Sequence, residues 1–254
     1  MALVGLVAAL ALAAGLPAPP GGALAPRQPL WGSGDPRQVQ VSMLTRDGDD
    51  RYAIGSDAAG IRVLADGANG GSNGRAVVSR EGSPAVVDGE SCASWGDRRG
   101  DIIQLGAALR VTDEGGRVRA ITVTQNIWVN PFTFNVHTWD TDRGGLPLEL
   151  VGQIDMRYRF FHDGFVAFPW SFCARAVGAR VEFKIWSSSE PEPGWGDPEH
   201  SDGVALPPEW VRAGRVGWYI GHLRAGDSVS LESATAWAYR RQQSMVPRRR
   251  TPRG

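Results

Sequence analysis

Residues 180–186, Arg-Val-Glu-Phe-Lys-Ile-Trp, alternate without a slip. Val181, Phe183 and Ile185 fall on one face, and Arg180, Glu182, Lys184 and Trp186 on the other. A period of two marks a strand buried on one side, because successive side chains leave a pleated ribbon in opposite directions. Pro191 and Pro193 follow, and neither can donate to a ladder, so the strand must stop before them. The same period returns along the chain, at 37–44 and again at 132–140, where Phe132, Phe134 and Val136 oppose Thr133, Asn135, His137 and Trp139. Shorter runs at 51–54, 61–64, 75–79 and 84–87 are divided by Gly/Asn/Asp loops, which supply the positive-φ positions of tight reversals. Residues 102–111 and 117–124 flank Thr112-Asp113-Glu114-Gly115-Gly116 and read as a hairpin. Within 117–124 the apolar phase slips between Ala120 and Ile121, which predicts a bulge there. Further runs at 148–154, 156–161, 165–172, 215–222, 227–233 and 234–240 complete the series.

The 33 glycines and 17 prolines suit many turns, and neither a βαβ rhythm nor an amphipathic helix interrupts the strands. The prediction is all-β: one antiparallel sandwich over residues 37–240, because no linker-like stretch divides that span.

The ends differ in composition. Residues 2–16 are apolar and uncharged, the length of a signal h-region and short for a bilayer span. Residues 1–25 are therefore expected to be a signal peptide on a secreted or envelope-associated protein, and the Pro/Gly-rich 26–36 a linker. Residues 240–254 hold six Arg and no acid, which leaves 0 − 6 = −6 on residues 1–239 of a chain with zero formal net charge. Segment 241–254 is read as a solvated, disordered tail, with an anionic envelope polymer as its alternative partner. Nothing in the global charge steers the chain to nucleic acid. In an exported chain the lone pair Cys92 and Cys173 is expected to form one disulfide, tying the first half of the domain to the second.

Val177, Gly178, Lys184, Trp186, Glu192, Pro193, Trp195, Gly214, Val216 and Gly217 together resemble the closing strands of concanavalin A-like lectin/glucanase (laminin-G-like) jelly rolls, of the kind found in exported bacterial domains. The resemblance covers roughly the last third of the chain. It implies a jelly-roll sandwich, and a fold that hosts lectins, glycosidases and adhesion modules alike. The glucanase branch is marked by E-x-D-x-x-E on one strand, and that pattern is absent here.

Asn135, His137 and Trp139 project from one face of one strand, which in the resembled fold is a ligand surface. An indole stacks on a sugar ring while amide and imidazole bind hydroxyls, so this trio, with Trp186, is the candidate glycan site. Buried packing under a loop is the competing reading of each Trp. Asp140, Asp155 and Glu182 are the strand carboxylates available to a hydrolase with a non-standard pair, which needs its groups about 5–10 Å apart. The four His have no metal-ligand spacing, no CxxC or Gly-x-Ser-x-Gly occurs, and no cofactor is expected. Non-catalytic binding of a glycan or envelope component is the leading expectation. A hydrolase of the same fold and a structural module without a small ligand are the alternatives.

Overall fold

The computed structural model describes residues 27–32, 38–67 and 70–239, so the expected signal peptide and the tail at 241–254 lie outside the described residues. Two antiparallel sheets face each other. One contains β1 (Arg27–Trp31), β3 (Tyr52–Asp57), β4 (Gly60–Ala65), β6 (Gly89–Arg99), β11 (Trp170–Val177), β12 (Arg180–Ser187), β13 (Ser201–Ala205) and β15 (Ser228–Tyr239). Its order is β13-β12-β11-β6-β15-β4-β3, with β1 also paired to β15. The other contains β2 (Val39–Thr45), β5 (Arg75–Arg80), β7 (Gln104–Glu114), β8 (Arg117–Gln125), β9 (Thr133–Asp140), β10 (Leu148–Asp155) and β14 (Arg215–Gly221), in the order β10-β9-β8-β7-β14-β5-β2. Strand β1 occupies part of the expected linker.

The alternation of β12 does what its sequence predicts. Val181, Phe183 and Ile185 enter the core between the sheets. There Phe183 meets Phe134 of β9 at 4.3 Å between ring centres, and Trp31 of β1 meets Trp218 of β14 at 4.8 Å. Such contacts across the sandwich bury large apolar surfaces, at roughly 25 cal/mol per Å².

Other local expectations fail too, and the runs expected at 227–233 and 234–240 form the single strand β15. Ala120 and Ile121 are consecutive and both buried, yet β8 runs without a bulge: Ile121 faces the intersheet core and Ala120 a smaller apolar cluster on the outer face. The register shift lies instead in β7, between Leu109 and Thr112. Arg110 sits there at φ +51°, only 1 % exposed. Its guanidinium donates to the carbonyls of Val87 (2.9 Å), Trp210 (2.6 Å) and Gly178 (2.6 Å), which pins three connections together. Residues 156–169 form turns rather than two strands, with Phe160 and Phe161 packed on Trp170. Finally, residues 84–87 supply only one bridge, Val86 to Gly214.

Cys92 and Cys173 form the disulfide. It joins directly opposed residues on the neighbouring strands β6 and β11 of one sheet.

Candidate functional site

The outer face of the seven-stranded sheet is built from alternate residues of every strand in it. Pairing across the sheet places Val77, Tyr219, Gly106, Thr124, Asn135 and Gln153 in one row. The next row toward one end brings Arg75 beside Gly221 and Gln104. Glycine at 221 is a packing necessity: a Cβ there would lie 2.5 Å from the Tyr219 hydroxyl. That hydroxyl donates to Gln104 Oε1 at 2.8 Å and also meets the Arg75 side chain. Burial pushes the Tyr219 phenol well above its ordinary pKa, so it stays protonated.

Two loops close this end. Gly-rich residues 70–74 are held by Asp50, which accepts from Gly70 N–H, by Asp47, which accepts from Asn73 N–H, and by the Tyr52 hydroxyl, which donates to the Gly74 carbonyl. His222, at φ +64°, completes the clamp: its N–H donates to Gly74 O at 2.8 Å and its Nδ1 lies 2.7 Å from Ser72 O. A carbonyl can only accept, so Nδ1 carries the proton and the Nε2 lone pair is left over. The other loop joins β8 to β9. Asn126 Oδ1 accepts from the backbone of Trp128 and Val129, and Asn130 Oδ1 from that of Phe132. These side-chain turns hold Trp128 out at 60 % exposure, edge-on to His222 with 5.6 Å between ring centres.

Asn135 and His137 stand where the sequence put them, half-buried on this face. Asn135 Oδ1 accepts from Gln153 Nε2 at 2.8 Å, which leaves its own amide protons for a ligand. Burial first, and then the charge of Arg75, lower the pKa of both His137 and His222 to about 4, so both rings are neutral at pH 7.

The two remaining candidates need correction as exposed platforms. Trp139 is 2 % exposed: its indole N–H donates to Thr122 Oγ1 at 2.9 Å and its ring packs with Ala120, Val118 and Tyr219. A flat, wide side chain on a sheet of small neighbours is a packing solution as readily as a stacking surface. Trp186 belongs to the other sheet and is 7 % exposed, with Lys184 Nζ 5.6 Å from its ring. It therefore shares no site with Asn135 and His137. Trp195 caps that sheet, between Arg175 and Lys184 at 4.3 and 4.7 Å.

The carboxylates do not form a pair. Asp140 and Asp155 register with opposite ends of the neighbouring strands, Asp140 with Arg119 and Asp155 with Thr133. Glu182 is on the other sheet, bonded to Arg175 at 2.7 Å. Asp140 accepts from Arg117, which holds its pKa below the ordinary carboxylate value. A separate cleft of about 590 Å³, over the outer face of the eight-stranded sheet, is lined by Gly55, Arg62, Leu64, Asp97 and Glu232 among others, with no aromatic side chain. The Trp128 face is therefore the better-equipped surface for a ring-shaped ligand.

No protein-family model matches the sequence, and no curated protein does. Solved structures do resemble it. A protein of unknown function with a galectin-like fold from Bacillus subtilis aligns over 87 % of this chain and 98 % of its own, with TM-score 0.51 and 9 % identity. The chain has a galectin-like fold. Weaker likenesses include the exoplasmic/lumenal domain of VIP36 in its Ca²⁺/Man3GlcNAc-bound form (TM-score 0.47, 11 % identity, 80 % of this chain and 90 % of that one). Another is the CBM2 module of Lactobacillus casei BL23 phage J-1 evolved Dit (TM-score 0.46, 9 % identity, 85 % and 97 %).

Arg75, Trp128 and His222 were not singled out from the sequence. Trp128 had a readable signal, since Asn126 and Asn130 bracket it at turn-forming spacing. Arg75 and His222 had none, because only strand pairing brings β5 and the end of β14 together.

Proposed function

We propose that this protein binds a glycan on the outer face of the seven-stranded sheet, without catalysis. The observation that carries the reading is Trp128, 60 % exposed on a backbone held by the Asn126 side chain at the lip of a polar floor. An exposed indole on a held backbone offers a flat apolar surface to the C–H face of a sugar ring, with only two side-chain torsions to order. Below it the His222 Nε2 lone pair, the Asn135 amide and the His137 ring are suited to hydroxyls. The apolar segment 2–16 and the disulfide support export as the setting.

The test is retention on immobilised polysaccharides, read together with thermal melting. Trp128→Ala is expected to weaken retention about tenfold or more, while stability changes by only about 0.5 kcal/mol, as for an exposed position. Trp139→Ala is expected to cost about 3–5 kcal/mol, because it empties a packed site and strands the Thr122 hydroxyl. Undiminished retention by Trp128→Ala would remove the proposal.

A further inference from the structure

Arg75 is the one cation in the row that carries Gln104 and Gly221, and it is half-buried. Its Nη1 donates to Thr45 Oγ1 at 3.0 Å, to the Asn73 carbonyl at 3.4 Å and to the Asn73 side chain, and the guanidinium also meets Tyr219. All of these partners are neutral. Among the described residues no carboxylate forms an ion pair with it. Asp47 and Asp50, which hold the adjoining loop, accept from backbone N–H groups of Asn73 and Gly70 instead. A guanidinium held by neutral acceptors, with no carboxylate at ion-pair distance, still offers its charge to an anionic ligand.

The rest of the face sharpens the asymmetry. Gln104, Thr122, Thr124, Asn135 and Gln153 are neutral. Both imidazoles are kept neutral too, with Arg75 itself contributing to their lowered pKa values. Near Trp128 the face therefore presents one positive charge among hydroxyl-binding groups, while its exposed acid, Asp155, lies in register with Thr133 on the far edge strand β10.

We propose that the ligand of this face is an acidic saccharide, with its anionic group on Arg75 and a sugar ring against Trp128. The inference rests on the glycan reading above and narrows it. A uronate carboxylate and a sulfate ester share the required chemistry: each accepts charge-assisted hydrogen bonds from a guanidinium, which are roughly twice as strong as neutral ones. The neutral histidines then serve ring hydroxyls rather than a second anion.

The experiment measures affinity by calorimetry for three probes: an oligogalacturonate, the same oligosaccharide with its carboxyl groups reduced to alcohols, and a sulfated neutral oligosaccharide. The wild-type chain is expected to bind the oligogalacturonate about tenfold or more tightly than its reduced form, an advantage that shrinks as salt rises. Arg75→Gln should erase the difference. Arg75→Lys, which keeps the charge, should retain most of it and guards against a loss caused by misfolding. Sulfated probe binding as well as the uronate identifies charge as the recognised feature. Preference for the uronate alone identifies the planar carboxylate, and either result supports the proposal. Equal affinity for the charged and reduced forms would overturn the acidic specificity and leave glycan binding standing. Binding of none of the three, nor of any polysaccharide on the retention panel, would overturn both.

Discussion

His222 shows how one residue ties the fold to the candidate site. It is buried, clamps loop 70–74 and supports Trp128, all with a neutral ring. A histidine whose folded pKa is lowered from 6.5 to about 4 binds fewer protons folded than unfolded between those values. Its contribution is thus fully present above about pH 6.5 and lost as pH falls toward 4. At 1.36 kcal/mol per pKa unit the loss approaches about 3 kcal/mol for His222, and His137 has the same sign. Urea unfolding at pH 7, 5.5 and 4 is expected to show falling stability across this range. His222→Asn should remove about half of the dependence and leave the share of His137, since Asn tolerates φ +64° and does not titrate. An unchanged pH slope in that variant would place the titration elsewhere.

At the scale of the element, period two was legible wherever one face of a strand was apolar, as in β9 and β12. It misled where both faces were covered. In β8 the two apolar phases serve two clusters, so the apparent slip was no bulge. Strand β6 carries no period-two signature in its sequence. Its residues Gly-Glu-Ser-Cys-Ala-Ser-Trp-Gly-Asp look like a loop because only Ala93 and Trp95 are inward hydrophobes, whereas Glu90 is buried on the outer side by Arg27, Trp195 and Tyr239. The site was half legible for the same reason. Asn135 and His137 follow from strand phase, but whether a Trp on that phase is covered depends on neighbours that no local pattern reveals. The bulge of β7 carries its own prediction. Arg110→Met should cost about 3–5 kcal/mol by denaturant midpoint, because three carbonyls and the nearby Asp88 lose a buried partner. A loss under about 1 kcal/mol would mean those carbonyls find other donors.

For the whole molecule, the telling feature is what the disulfide encloses. The bond lies within the eight-stranded sheet, yet the chain between Cys92 and Cys173 contains β7, β8, β9 and β10, more than half of the opposite sheet. That a lone pair of cysteines would join was readable from their number; that they would be neighbours in one ladder was not, since β6 was unrecognised. The consequence is a separation of roles. In the folded state β6 is already held by hydrogen bonds to β11 on one side and β15 on the other, so the cystine is not needed to align them. Its stabilisation must therefore act mainly on the unfolded chain, by closing a loop with a sequence separation of 81 residues, an effect of about 4–5 kcal/mol at most. A double Cys92→Ala, Cys173→Ala variant is accordingly expected to stay folded at 25 °C, with its near-UV circular dichroism preserved. Its melting temperature should fall by about 10–15 °C, from about 2–4 °C per kcal/mol for a domain of this size. The unfolding rate should change little, because a loop-closure term is felt in refolding when the transition state already contains the closed loop. A variant that unfolds many times faster would show instead that the cystine holds the native ladder itself.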